Sequence, residues 1–131
     1  MTDFSALLDA VTFNADGLVP AIAQQAATGE VLMMAWMNRE ALTETVTTGR
    51  VCYWSRSRKG LWRKGERSGQ VQLLKDLRID CDGDTLLLLV EQTGVACHTG
   101  RRSCFYRSWG DDGLSTLLEV EADPEALYGG A

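Results

Sequence analysis

Three cysteines and three aspartates fall within one stretch of this chain, in Asp80-Cys81-Asp82-Gly83-Asp84, Cys97-His98-Thr99-Gly100 and Ser103-Cys104-Phe105-Tyr106-Arg107. Thiolates are soft ligands that select zinc, whereas carboxylates are hard ligands that suit magnesium. The cysteines lie 16 residues apart (81 to 97) and then 7 residues apart (97 to 104). A zinc ribbon instead pairs its ligands in close CxxC knuckles and closes the site with four of them. Three dispersed thiols lean towards a catalytic metal that keeps a position for water. The alternative is three small buried hydrophobes, a common state of free cysteine. The aspartates, His98, Arg101 and Arg102 beside them count against it. Cys52 alternates with Val51 and Tyr53 in a strand pattern and reads as packing.

At 131 residues, with 45% apolar and 24% charged residues, the chain has the size and balance of one globular domain, 1–131. The start carries no basic n-region, the first cation is Arg39, and no apolar run is long enough for a bilayer. These features predict a cytoplasmic protein with no membrane contact, in which the cysteines are reduced. Net charge is −5, yet seven of the 13 basic residues lie between Arg50 and Arg67, with Glu66 the only acid among them. A local basic cluster in an acidic protein suits a small phosphorylated ligand better than nucleic acid, and a solvated basic loop fits as well.

The elements that must position these groups are mainly strands, giving an α+β, mainly β, fold. Phe4, Leu7, Leu8 and Val11 have helical spacing behind a Thr2 or Asp3 cap. Leu18–Ala26 and Val31–Met37 read as strands, and a helix near 38–48 is bounded by Asn38 as N-cap and Gly49 as stop. Further strands are expected over Val51–Ser55, Val71–Asp80, Thr85–Gln92 and Ser103–Arg107. Thr85 to Val90 is apolar on both faces and reads as a central strand buried on two sides. Period-two alternation predicts Asp80, Asp82 and Asp84 on one face and Cys81 on the other, hence two metals. It likewise points Arg56 and Arg58 one way.

The segment from Asp80 to Arg107 closely resembles the signature of the phosphoribosyl-AMP cyclohydrolases. A second block, Trp54-Ser55-Arg56-Ser57-Arg58 with Leu61-Trp62-Arg63-Lys64-Gly65-Glu66 and Ser68-Gly69, is similar to another motif of that family, and the likeness covers roughly Gly17 to Ser108. The resemblance implies an intertwined homodimer that hydrolyses the N1–C6 bond in the adenine ring of phosphoribosyl-AMP during histidine biosynthesis. It implies zinc on Cys81, Cys97 and Cys104, with Cys81 coming from the other subunit, and magnesium on Asp80, Asp82 and Asp84.

Zinc lowers the pKa of bound water towards about 7, but three thiolates weaken that effect, so a nearby base is useful. His98, the only histidine, is assigned proton transfer, with a fourth zinc ligand or an orienting hydrogen bond as alternatives. Arg56, Arg58, Ser57 and Lys64, together with Arg101 and Arg102, are candidates for the substrate's phosphates. Trp54 and Trp62 either stack on the base or belong to the core. Two other functions remain open: a structural zinc module that binds nucleotides or RNA without catalysis, and a redox thiol protein, which the lack of CxxC disfavours.

Overall fold

The computed structural model describes residues 4–126. Asn38 accepts a hydrogen bond from Ala41 N (2.8 Å) and Gly49 takes the left-handed conformation (φ 77°), so helix α2 spans Arg39–Thr48 as its caps dictate. The earlier helix, α1 (Ser5–Ala10), has Phe4 at its N-cap with no side-chain cap bond. Both proposed cap residues, Thr2 and Asp3, lie outside the described residues.

Six strands make one sheet: β1 (Val19–Gln25), β2 (Val31–Met37), β3 (Cys52–Ser55), β4 (Gly60–Arg63), β5 (Gln72–Ile79) and β6 (Leu86–Gln92), in the order β4-β3-β2-β1-β6-β5. All neighbours are antiparallel except β1 and β6, which run parallel with Ala21 opposite Leu86 and Ala23 opposite Leu88. Alternation puts Val19, Ala21 and Ala23 of β1 on the same buried face as Leu86, Leu88 and Val90 of β6. Leu32, Met37 and Tyr53 join them, and α2 adds Ala41 and Leu42.

The structure corrects three expectations. β6 is internal but lies next to the edge strand, and its second face, Leu87 and Leu89, is only half-buried, so it is not sandwiched on two sides. Of the expected strand Ser103–Arg107, all but Arg107 is loop, because the Ser103 hydroxyl donates to Val31 O (2.7 Å) and accepts from Phe105 N instead of leaving the backbone to a ladder. Short strands appear where none was expected, at β4 and in the separate hairpin β7 (Arg107–Gly110) and β8 (Gly113–Thr116). Among the described residues no helix is long and apolar enough to cross a membrane.

A chain of buried amides crosses the core beneath β2 and β3. Tyr53 OH donates to Gln72 Oε1 (2.7 Å), and Gln72 Nε2 donates to Gln92 Oε1 (2.8 Å) and to Met33 Sδ (3.3 Å). Gln92 Nε2 continues to the carbonyls of Gln70 and Thr93. Replacing Gln72 by Leu strands the Tyr53 hydroxyl and the Gln92 carbonyl, so equilibrium urea unfolding should show a loss of about 3 kcal/mol. A loss under about 1 kcal/mol would mean that the network contributes little.

Candidate metal and substrate site

Two of the three motif cysteines meet. The loop after β6 folds back on itself through Cys97 N to Arg101 O (3.1 Å) and Ala96 N to Arg102 O (3.1 Å). Cys104 N then bonds Leu32 O (2.7 Å), fixing the loop to β2. Cys104 opens onto a cavity, yet desolvation pushes its thiol up to about 12, reinforced by the charge and hydrogen bond of Cys97, with Lys64 opposing. Thr99 Oγ1 donates to Cys97 Sγ at 3.1 Å. The Lys64 ammonium is buried and donates to Ala96 O (2.6 Å); desolvation holds its pKa below the usual lysine range, while Cys104 and Cys97 oppose the shift. A thiol pair crowded against a buried cation releases its protons most readily to a soft metal, so the donor set fits zinc. Among the described residues, no third ligand atom of His, Cys, Asp or Glu lies close enough to complete the pair, His98 included.

The third cysteine is elsewhere. Cys81 sits exposed in the turn from β5 to β6, ahead of Leu86, whereas Cys97 and Cys104 lie towards the other end of β6, near Gln92 and β2. β6 has seven residues, so the two ends are roughly 20 Å apart. The three aspartates are in the same turn as Cys81, and here too the strand expectation is corrected. Gly83 at φ 79° breaks the extended chain, and Asp84 N and Thr85 N both donate to Asp80 Oδ1 (2.9 and 3.2 Å). A turn, not alternation, brings the three carboxylates together, with oxygens within 4.8 Å of one another. Asp84 is pushed up to about 6 by its contacts with Asp82 and Asp80. Asp80 stays below its ordinary range because hydrogen bonds from Asp84 and Thr85 outweigh desolvation. Three crowded hard oxygens fit a cation such as magnesium.

The cavity beside the thiol pair has a volume of about 1130 Å³. Its lining includes Ala96, His98 and Cys104 together with Ser57, Arg58 and Arg67. Arg58 and Arg67 make no ion pair among the described residues, whereas Arg63 is held bidentate by Glu44 (2.8 Å). The expected pairing of Arg56 with Arg58 is corrected as well. β3 ends at Ser55, the turn that follows has Lys59 at φ 52°, and Arg56 leaves the cavity to stack on Trp36 at 4.8 Å. Trp62 lines the cavity, 5.4 Å from Tyr53, while Trp54 pairs across β2 with Trp36 and does not. Arg101 stacks on Tyr106 at 4.1 Å, and Arg102 is ion-paired with Glu30 and Glu121. Neither arginine lines the cavity.

The family model of phosphoribosyl-AMP cyclohydrolase matches residues 33–106, which include Lys64, both clustered cysteines, His98 and the aspartate turn. The chain belongs to the phosphoribosyl-AMP cyclohydrolase family. It is 69% identical to the phosphoribosyl-AMP cyclohydrolase of Alkalilimnicola ehrlichii over 96% of this chain and 89% of that protein. It is also 69% identical to that of Granulibacter bethesdensis, over 95% and 98%. Against the enzyme of Paramagnetospirillum magneticum it is 66% identical, over 96% of each. Motif reading had Arg67 in the basic cluster and Ser68 in the second block without giving either a role, and it missed Pro124 and Ala126 as cavity residues of this cyclohydrolase. No local pattern brings 124 and 126 to the cavity.

The aspartate turn makes a signed prediction. A carboxyl raised from 3.8 to about 6 favours the protonated folded state, so Asp84 costs stability increasingly as pH rises between those values, and fully above them. In metal-free protein, Asp84→Asn should therefore melt higher than wild type above pH 6, with the difference vanishing below pH 4. Added magnesium should close the gap by stabilising the wild type. Equal melting temperatures at pH 7 without metal would contradict the crowding.

Proposed function

We propose that this chain hydrolyses the N1–C6 bond of the adenine ring of phosphoribosyl-AMP, as a zinc- and magnesium-dependent step of histidine biosynthesis in the cytoplasm. The observation that carries the reading is that Cys104, coupled to buried Cys97, lines with His98 the same cavity as Arg58 and Arg67, which make no ion pair among the described residues. Family membership supplies the reaction, and the free state of Cys52, Cys81, Cys97 and Cys104 accords with a reducing compartment.

Cys97 and Cys104 would hold zinc, and Cys81 of a second copy of the chain would complete the ligand set. Two features support a homodimer: Cys81 cannot reach across β6 within one chain, and one sheet face keeps Met34 and Val31 about 40% exposed beside half-buried Leu87 and Leu89. Bound zinc supplies a Lewis acid that makes water acidic enough to attack near neutral pH. Asp80, Asp82 and Asp84 would hold magnesium.

The chain's own residues do the rest. Arg58, with Ser57 and Arg67, binds the phosphates and so orients the substrate, and Trp62 lines the cavity against buried Tyr53. That orientation carries the ring towards His98 and Cys104. His98 takes a proton from the attacking water and returns one to N1 as the N1–C6 bond breaks. The water oxygen ends as the carboxamide oxygen on C6. Lys64, pinned to Ala96 O beside the thiols, offsets their negative charge.

Zinc-loaded protein should convert phosphoribosyl-AMP with the absorbance change of ring opening, and Cys97→Ser should lose both zinc and turnover. His98→Ala should keep its zinc while losing about 10²-fold in turnover, the scale of general acid-base help. Cys52→Ser should keep both. No ring opening by zinc-loaded wild type, or full turnover by zinc-free Cys97→Ser, would overturn the proposal.

A further inference from the structure

The chain after β8 turns back onto the thiol loop. Leu117 N donates to Tyr106 O (2.6 Å), and Glu121 N and Ala122 N both donate to Gly100 O (2.8 and 3.1 Å). Arg101 Nε donates to Leu118 O (2.9 Å), and Arg102 pairs with Glu121 (3.0 Å). Gly100 is in the left-handed region (φ 85°), and a Cβ there would collide with Ala122 O, so backbone lies directly against backbone. All of these contacts fall between Cys97 and Tyr106, on the loop that carries both clustered thiols. Beyond the latch, Pro124 and Ala126 line the same cavity as Ala96, His98 and Cys104.

We propose that residues 117–126 belong to the substrate site: they latch the loop carrying Cys97 and Cys104, and Pro124 and Ala126 wall the end of the cavity that receives the purine ring. The proposal rests on the cyclohydrolase reading of that cavity, and it adds a segment lying wholly beyond the family match, which ends at residue 106. Charge supports the placement. With the phosphates on Arg58 and Arg67, which line the cavity and make no ion pair among the described residues, we assign the ring to the side of His98. Pro124 and Ala126 present uncharged, small surfaces there, suited to the face of a flat heterocycle. The latch explains why two arginines sit between the thiols without lining the cavity: their partners, Leu118 O and Glu121, are on the returning segment.

Two sets of full-length variants test the two halves. Ala126→Asp places an anion beside the anionic substrate and should raise KM about tenfold while kcat changes less than about twofold, the signature of lost ground-state binding. Ser115→Asp makes the same charge change on the exposed β8 and should leave KM unchanged. For the latch, the readout is the rate at which zinc passes to a chelator, independent of turnover. Gly100→Ala and the gentler Arg101→Ala should both lose zinc several-fold faster than wild type, whereas Gly110→Ala, where an added Cβ meets nothing, should not. An unchanged KM in Ala126→Asp, measured against an active wild type, would overturn the wall. Wild-type zinc-loss rates in both Gly100→Ala and Arg101→Ala would overturn the latch. An inactive wild type would instead overturn the cyclohydrolase reading, and the wall with it.

Discussion

β6 is a ruler. Its seven residues, about 20 Å of extended chain, pair with β1 on one side and β5 on the other and so hold a fixed length between the turn of Cys81 and the loop of Cys97 and Cys104. The buried face of Leu86, Leu88 and Val90 fixes the register, because a slip of one residue would move all three out of the core. One end carries two thiols with no third ligand atom close by among the described residues, and the other carries a thiol and three carboxylates. Nothing within one chain can bring the ends together without dismantling the sheet. The shared zinc site proposed above is therefore a consequence of strand length as much as of ligand chemistry.

Electrostatics at the thiol end follows from burial. Lys64 pays a desolvation cost that a solvated lysine would not, and in a folded protein such a cation persists where negative charge develops beside it. Ala96 O holds the ammonium on one side and the thiols face it on another. The opposite end solves a different problem. The Gly83 turn gathers three carboxylates that repel one another, which raises Asp84, and a hard cation would relieve the repulsion. Donor groups of opposite softness thus flank one strand at its two ends.

What the sequence disclosed follows the range of the interactions. Asn38 and Gly49 are local signals, and α2 ends where they say it ends. Leu86 to Val90 and Val31 to Met37 read as strands because their patterning is continuous. β4, β7 and β8 are four residues each, and each includes a glycine, so they are too short for alternation to register. The clustering of Cys97 with Cys104 depends on a hydrogen bond from Cys104 to Leu32, 72 positions away, which no spacing rule contains. Arg56 and Arg58 share a parity that means nothing once the strand stops at Ser55. Family resemblance named the aspartates as one group, and the alternation assumed for them is replaced by a turn that also gathers them.

The claim that a second copy completes the thiol site has a direct test by complementation. Cys81→Ser and Cys97→Ser would each be inactive alone. When the two variants are unfolded together in equal amounts and refolded with zinc, half of the dimers are mixed and each has one intact site of two, so about a quarter of wild-type ring opening should return. The regained activity should rise and fall with the fraction of mixed dimer. A refolded mixture as inactive as its parents, or a Cys81→Ser protein fully active by itself, would contradict a site shared between chains.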